Sequence, residues 1–137
     1  MDTEYDENAE VWIERMRSGK NIIHDYLAKP ALYNSIGNVK GKSILCVGCG
    51  SGEECDYLYK LGAEKVVGID LSKELIEIAK KSFPSIDFKV MDMENLDFAE
   101  EKFDLVVSSL TIHYVPSWKK TLQNIRNVLK DDGKIII

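Results

Sequence analysis

Residues Lys42–Glu53 read KSILCVGCGSGE, and the architecture of the chain follows from this stretch. Ser43 to Val47 is a short apolar run that suits a buried strand. It stops at Gly48-Cys49-Gly50-Ser51-Gly52, with three glycines at alternate positions. Beyond them Cys55, Leu58, Tyr59 and Leu61 recur at near-helical spacing. Strand, glycine turn and helix open a nucleotide-binding βαβ unit. Glycine allows the tight turn and lets a ligand lie on the main chain, facing helix-start amides. The spacing is G-x-G-x-G; the third glycine of a dinucleotide fingerprint would fall on Glu53, and no Lys follows as a phosphate-binding P-loop requires. A glycine loop alone is also compatible with a plain strand-to-helix turn.

The same alternation continues outward from the loop. Gly62 ends the first helix, and Lys65 to Asp70 (KVVGID) reads as a second strand. Ser72 is a suitable N-cap for a helix with Leu75, Ile76 and Ala79 inward, closed by Pro84. Ile86 to Met91 (IDFKVM) is a third strand, with Asp92-Met93-Glu94 at its exit, and Phe103 to Ser109 (FDLVVSS) is a fourth. Trp118, Thr121, Leu122, Ile125 and Leu129 form a helical stripe; Asp131-Asp132-Gly133 reads as a turn, and Lys134 to Ile137 begins a fifth strand.

On the amino side the first half-dozen residues read as loose. A helix follows from Asn8, with Ala9, Trp12, Ile13 and Met16 on one face, broken at Ser18-Gly19. A second pattern (Ile22, Ile23, Tyr26, Leu27) is interrupted by Pro30 and resumes through Leu32, Tyr33 and Ile36. These helices are expected to pack on the sheet, with Trp12 and Trp118 as core anchors.

The expected fold class is α/β, a Rossmann-like doubly wound parallel sheet with strand order 3-2-1-4-5 and right-handed crossovers. One domain is expected over 1–137, with N-terminal helices (1–40) over the cleft of a core at 41–137. In such sheets ligands bind at the carboxyl ends of the strands.

A net charge of −5 and a pI near 5.1 disfavour a nucleic-acid or anionic-membrane partner, since either needs a basic face. No apolar run approaches the roughly 18 residues of a membrane span, and MDTEYDENAE is unlike a signal peptide. Three cysteines between Cys46 and Cys55 do not suit a disulfide framework. Cys46-x-x-Cys49 has redox or zinc spacing, but Cys46 lies inside a strand and the two histidines are remote, so the cysteines read as small buried hydrophobes and no metal is expected. A cytoplasmic, soluble protein is expected.

The strand ends carry the chemistry. Asp70 closes the second strand, 18 positions after Gly52, where a carboxylate can accept both hydroxyl protons of a ribose or simply shape a turn. Asp92 closes the third, placed either to accept from an exocyclic amine or to start a turn. Ser108-Ser109 closes the fourth, beside the glycine loop. A backbone cradle, a diol acceptor and an amine acceptor in series suit an adenosine that carries something other than a pyrophosphate. His113 is the one ionisable base candidate directly after a strand, with Tyr114 beside it. A loop histidine that only packs is the plain alternative.

With VGCGSG, VVGID, VMDME, FDLVVSSLTIHYV and NVLKDDGKIII in this order, the chain resembles class I S-adenosylmethionine-dependent methyltransferases, in the small-molecule group that includes ubiquinone and menaquinone biosynthesis methyltransferases. The resemblance runs from about Val11 to the end. It implies S-adenosyl-L-methionine as cofactor, with Gly48, Cys49, Gly50 and Gly52 close to its methionine part. Asp70 would hold the ribose hydroxyls and Leu71 would pack on adenine. Asp92 would accept from the adenine amine with Met93 N–H near the ring, and Ser108 would lie near the sulfonium. Methyl transfer to a small-molecule acceptor is the implied activity, with His113 or Tyr114 as base where one is needed. A non-catalytic S-adenosylmethionine-binding fragment and an NAD-dependent oxidoreductase are the alternatives.

Two departures from the family pattern stand out. The acidic residue usual two positions before the first glycine is Cys46 here. The family fold also continues for two more strands, so the chain reads as truncated at its C-terminus, with an apolar strand-five edge (Ile135, Ile136, Ile137) able to form a homo-oligomer.

Overall fold

The computed structural model describes residues 3–137. Its strands are β1 (Ser43–Val47), β2 (Lys65–Asp70), β3 (Asp87–Val90), β4 (Phe103–Val107) and β5 (Leu129–Ile136), all parallel, in the order β3-β2-β1-β4-β5. The register sets Leu45 beside Val67 on one side and Val106 on the other, so the central strand is apolar on both faces. One face is covered by α4 (Glu53–Lys60) and α5 (Lys73–Ser82) through Cys55, Leu58, Ile76 and Ala79, joined by Leu32 and Ile36 of α3 (Lys29–Ile36). The other face is covered by α6 (Trp118–Val128) through Ile125 and Val128, and by the segment carrying Met93 and Phe98. This is the Rossmann-like doubly wound sheet that the alternating pattern predicts. Among the described residues no helix is long and apolar enough to cross a membrane.

Local chemistry explains the helix starts. Ser72 accepts from Leu75 N at 3.2 Å and Ser117 from Lys120 N at 3.3 Å, each satisfying an otherwise orphaned amide. From Thr3 on, the chain departs from the loose segment expected over its first half-dozen residues, of which Met1 and Asp2 lie outside the described residues. Thr3 and Asp6 form a capping box that starts α1 (Glu4–Glu7), and α2 (Ala9–Arg17) follows. Asp6 then accepts from Ser72 Oγ at 2.6 Å and Glu74 N at 3.2 Å, fastening α1 to the start of α5.

Three further expectations are corrected. His24–Ala28 is a π-helical turn, closed by Lys29 N donating to His24 O. The extra residue in that turn buries His24, while Ile22, Ile23, Tyr26 and Leu27 face outward and do not pack on the sheet. Trp118 is half exposed and anchors no core, and Trp12 lines a cleft instead. Strand β5 begins at Leu129, opposite Phe103, and absorbs Asp131-Asp132-Gly133 as an irregularity within the strand.

Candidate functional site

At the carboxyl ends of β1, β2 and β4 lies a cleft of about 640 Å³, within the usual size of a small-molecule site. Its floor is the glycine loop. Gly48 and Gly50 are left-handed, with φ of 68° and 54°. A Cβ on Gly48 would collide with the Thr111 side chain, and one on Gly50 would lie 2.7 Å from Trp12 Cη2. Both positions therefore need glycine for space as well as for conformation.

Asp70 binds this loop to the next strand. Its Oδ2 accepts from Gly50 N and its Oδ1 from Ser72 N, each at 2.9 Å. Burial pushes its carboxyl above the ordinary value, outweighing those amide bonds. A carboxylate offers about four acceptor directions, more than these amide bonds use. Asp92 also lines the cleft, but its oxygens accept from Glu94 N at 2.8 Å and Asn95 Nδ2 at 3.2 Å, so it shapes a turn as well.

The structure brings Gly48, Cys49, Gly50, Asp70, Leu71, Asp92, Met93 and Tyr114 together on the cleft wall. Gly52 lies behind, against Phe88 and Ala79. Ser108 is buried outside the cleft with its hydroxyl unpartnered, and Ser109 is the serine on the wall, followed by Leu110 with a left-handed φ of 53°. His113 is exposed and is not on the cleft wall; it lies in the 3-10 turn Ile112–Tyr114.

The N-terminal helices form the roof. Tyr5 and Trp12 meet edge to face at 6.3 Å, and Tyr5 Oη donates to Tyr114 Oη at 3.0 Å across the mouth. Burial first, and then the bond to Tyr114, push the Tyr5 hydroxyl up to about 12. Sequence reasoning missed Tyr5, Asn21, His24 and Glu54, which also line the cleft. The Thr3-x-x-Asp6 capping box was the one local signal for the segment that carries Tyr5.

A family described as a methyltransferase domain matches residues 45–137. A ubiquinone biosynthesis O-methyltransferase of Coxiella burnetii is 33% identical over 101 residues, covering 71% of this chain and 43% of that protein. Among solved structures, an S-adenosylmethionine-dependent methyltransferase from Mesorhizobium loti is 31% identical with a TM-score of 0.73, over 77% of this chain and 50% of that one. A TehB-like S-adenosylmethionine-dependent methyltransferase from Corynebacterium glutamicum is 30% identical with a TM-score of 0.77, over 94% and 71% respectively. The chain spans about half the length of the curated relatives it matches.

Proposed function

The chain belongs to the class I S-adenosylmethionine-dependent methyltransferases, and from that membership we propose that it transfers a methyl group to a small-molecule acceptor in this cleft. The observation that carries the proposal is Asp70, a half-buried carboxylate tied to Gly50 N and open to the cleft, which joins a diol acceptor to a backbone cradle. The bound cofactor supplies a methyl group on a positively charged sulfur, already activated for displacement. The protein's own work is then alignment and exclusion of water.

In this reading Asp70 accepts from the ribose hydroxyls, while Asp92 and Met93 border the adenine. Trp12 and Tyr5 close the roof. Tyr114, Leu110 and Val115 offer an acceptor of modest polarity a wall beside the loop, and the Coxiella burnetii relative's name points to oxygen as the methylated atom. Tyr114 is the residue we assign to contact with that acceptor, since it lines the cleft and His113 does not.

A dinucleotide is disfavoured by charge. Glu53, Glu54 and Asp56 occupy the first turn of α4, where a pyrophosphate would otherwise rest on helix-start amides. Three free cysteines suit a reducing compartment, and we place the chain in the cytoplasm.

The test is incubation with S-adenosylmethionine labelled in its methyl group, against a panel of small phenols and catechols and, separately, RNA. Label is expected in the small organic fraction. Label in RNA, or none from a chain that binds the cofactor, overturns the proposal.

A further inference from the structure

Two carboxylates follow the glycine loop, and the protein treats them differently. Glu53 is held in place: its Oε1 lies 2.6 Å from Arg17 Nε and its Oε2 accepts from Ser51 Oγ at 2.5 Å. Glu54 turns into the cleft, and among the described residues its one ion pair is a long 3.8 Å contact with His24 Nε2. Both of these side chains are largely enclosed, 17% exposed for Glu54 and 8% for His24. Burial pushes the Glu54 carboxyl above its ordinary value. A carboxylate so enclosed, with its ion-pair partner at this distance, is costly until a cation comes closer.

His24 is itself held. The π-helical turn buries it, its Nδ1 lies 3.4 Å from Asp25 Oδ1, and Lys29 Nζ donates to the same oxygen at 3.2 Å. Asn21 Oδ1 accepts from the His24 backbone N at 3.3 Å, so the main chain of His24 is tied as well as the ring nitrogen that faces Asp25.

The cleft is thus lined by acids from different elements, Asp70 at the end of β2, Asp92 after β3 and Glu54 in the first turn of α4. Asp70 and Asp92 suit the hydroxyls and amine of an adenosine, and Glu54 suits an ammonium. S-adenosylmethionine has this layout, with adenosine at one end and an α-amino acid at the other. Cys46, the position where the family pattern carries an acid, offers nothing comparable. It is 3% exposed, within the core cluster that includes Cys49 and Cys55, and is not part of the cleft wall.

Building on the methyltransferase reading, we propose that Glu54 receives the α-ammonium group of the cofactor's methionine portion, replacing a carboxylate at position 46, and that His24 is the residue that positions it. The acidic group has moved from the strand before the loop to the helix after it. Cys46 and Cys55 are then free to pack as small hydrophobes in the core.

Two ligands separate this assignment from a merely structural pair. S-adenosylhomocysteine carries the amino acid, whereas 5′-methylthioadenosine keeps adenosine and thioether without it. Calorimetry on the unmodified chain should show S-adenosylhomocysteine binding at least about tenfold more tightly, the worth of one charge-assisted hydrogen bond. Glu54→Gln should remove most of that advantage and leave 5′-methylthioadenosine binding unchanged; His24→Gln should do the same to a smaller extent. Equal loss for both ligands, or S-adenosylhomocysteine binding unaltered by Glu54→Gln, overturns the assignment and leaves the methyltransferase reading intact. Equal affinity of the unmodified chain for the two ligands overturns the assignment without any variant. Failure of the unmodified chain to bind S-adenosylhomocysteine overturns both.

Discussion

Asp70 and Asp104 sit at opposite ends of the sheet, on the two strands that flank β1, and their carboxyls are treated in opposite ways. At the amino end Asp104 accepts from Ser43 N at 2.8 Å and Lys130 Nζ at 2.9 Å. The Ser43 amide first, and then Lys130, hold its carboxyl below the ordinary range. At the carboxyl end Asp70 is bonded only to neutral amides, and burial drives it the other way. One end of the sheet spends its charge on the fold. The other leaves a carboxyl on the cleft wall with neutral amides as its partners.

The largest test of this contrast is removal of the two acids. Asp70→Ala should cost about 1.5–3 kcal/mol of S-adenosylhomocysteine affinity, roughly 10- to 150-fold, while Asp104→Ala leaves affinity unchanged. An unaltered dissociation constant in the first variant would reduce Asp70 to a turn residue.

Next in size is Gly50→Ala, which forces a side chain into a left-handed conformation and against Trp12. We expect about 1–3 kcal/mol of lost stability by urea denaturation, together with weaker cofactor binding. Full retention of both would show that roof and loop yield easily.

The pH dependence should be smaller and of opposite sign at the two ends. The depressed carboxyl of Asp104 stabilises the fold above the ordinary aspartate value and loses that contribution as acidification passes its folded pKa. Asp104→Asn should therefore cost about 1 kcal/mol near neutrality and progressively less in acid, because the site is partly exposed. The raised carboxyl of Asp70 favours the protonated fold, and its contribution falls as pH rises through its folded pKa. Asp70→Asn should leave the empty protein at least as stable near neutrality, with its relative advantage fading in acid. Parallel pH profiles for the two variants would dissolve the contrast.

Much of the carboxyl end was legible from the residues. Alternating apolar runs and punctuating glycines mark β1, β2 and the loop, because a parallel strand buried on both faces reads as a continuous run. Asp70 and Asp92, singled out by their places at strand ends, both line the cleft. What was missed depends on long-range or irregular geometry. The π-helical turn breaks the 3.6-residue period, so the Ile22, Ile23, Tyr26 and Leu27 stripe reads as inward although it faces out. Past the end of β4 the alternation of faces lapses, and the serine on the cleft wall is Ser109, one position beyond the expected Ser108. His24 and Glu54 lie 30 positions apart and meet only in the fold.

The central claim, that the cleft at the carboxyl ends is built for an adenosine bearing an amino acid and not for a dinucleotide, is tested most directly by one calorimetric comparison. S-adenosylhomocysteine and NAD are titrated into the same preparation. Saturable binding of S-adenosylhomocysteine with no heat from NAD is the predicted result; binding of NAD as tight or tighter would contradict it.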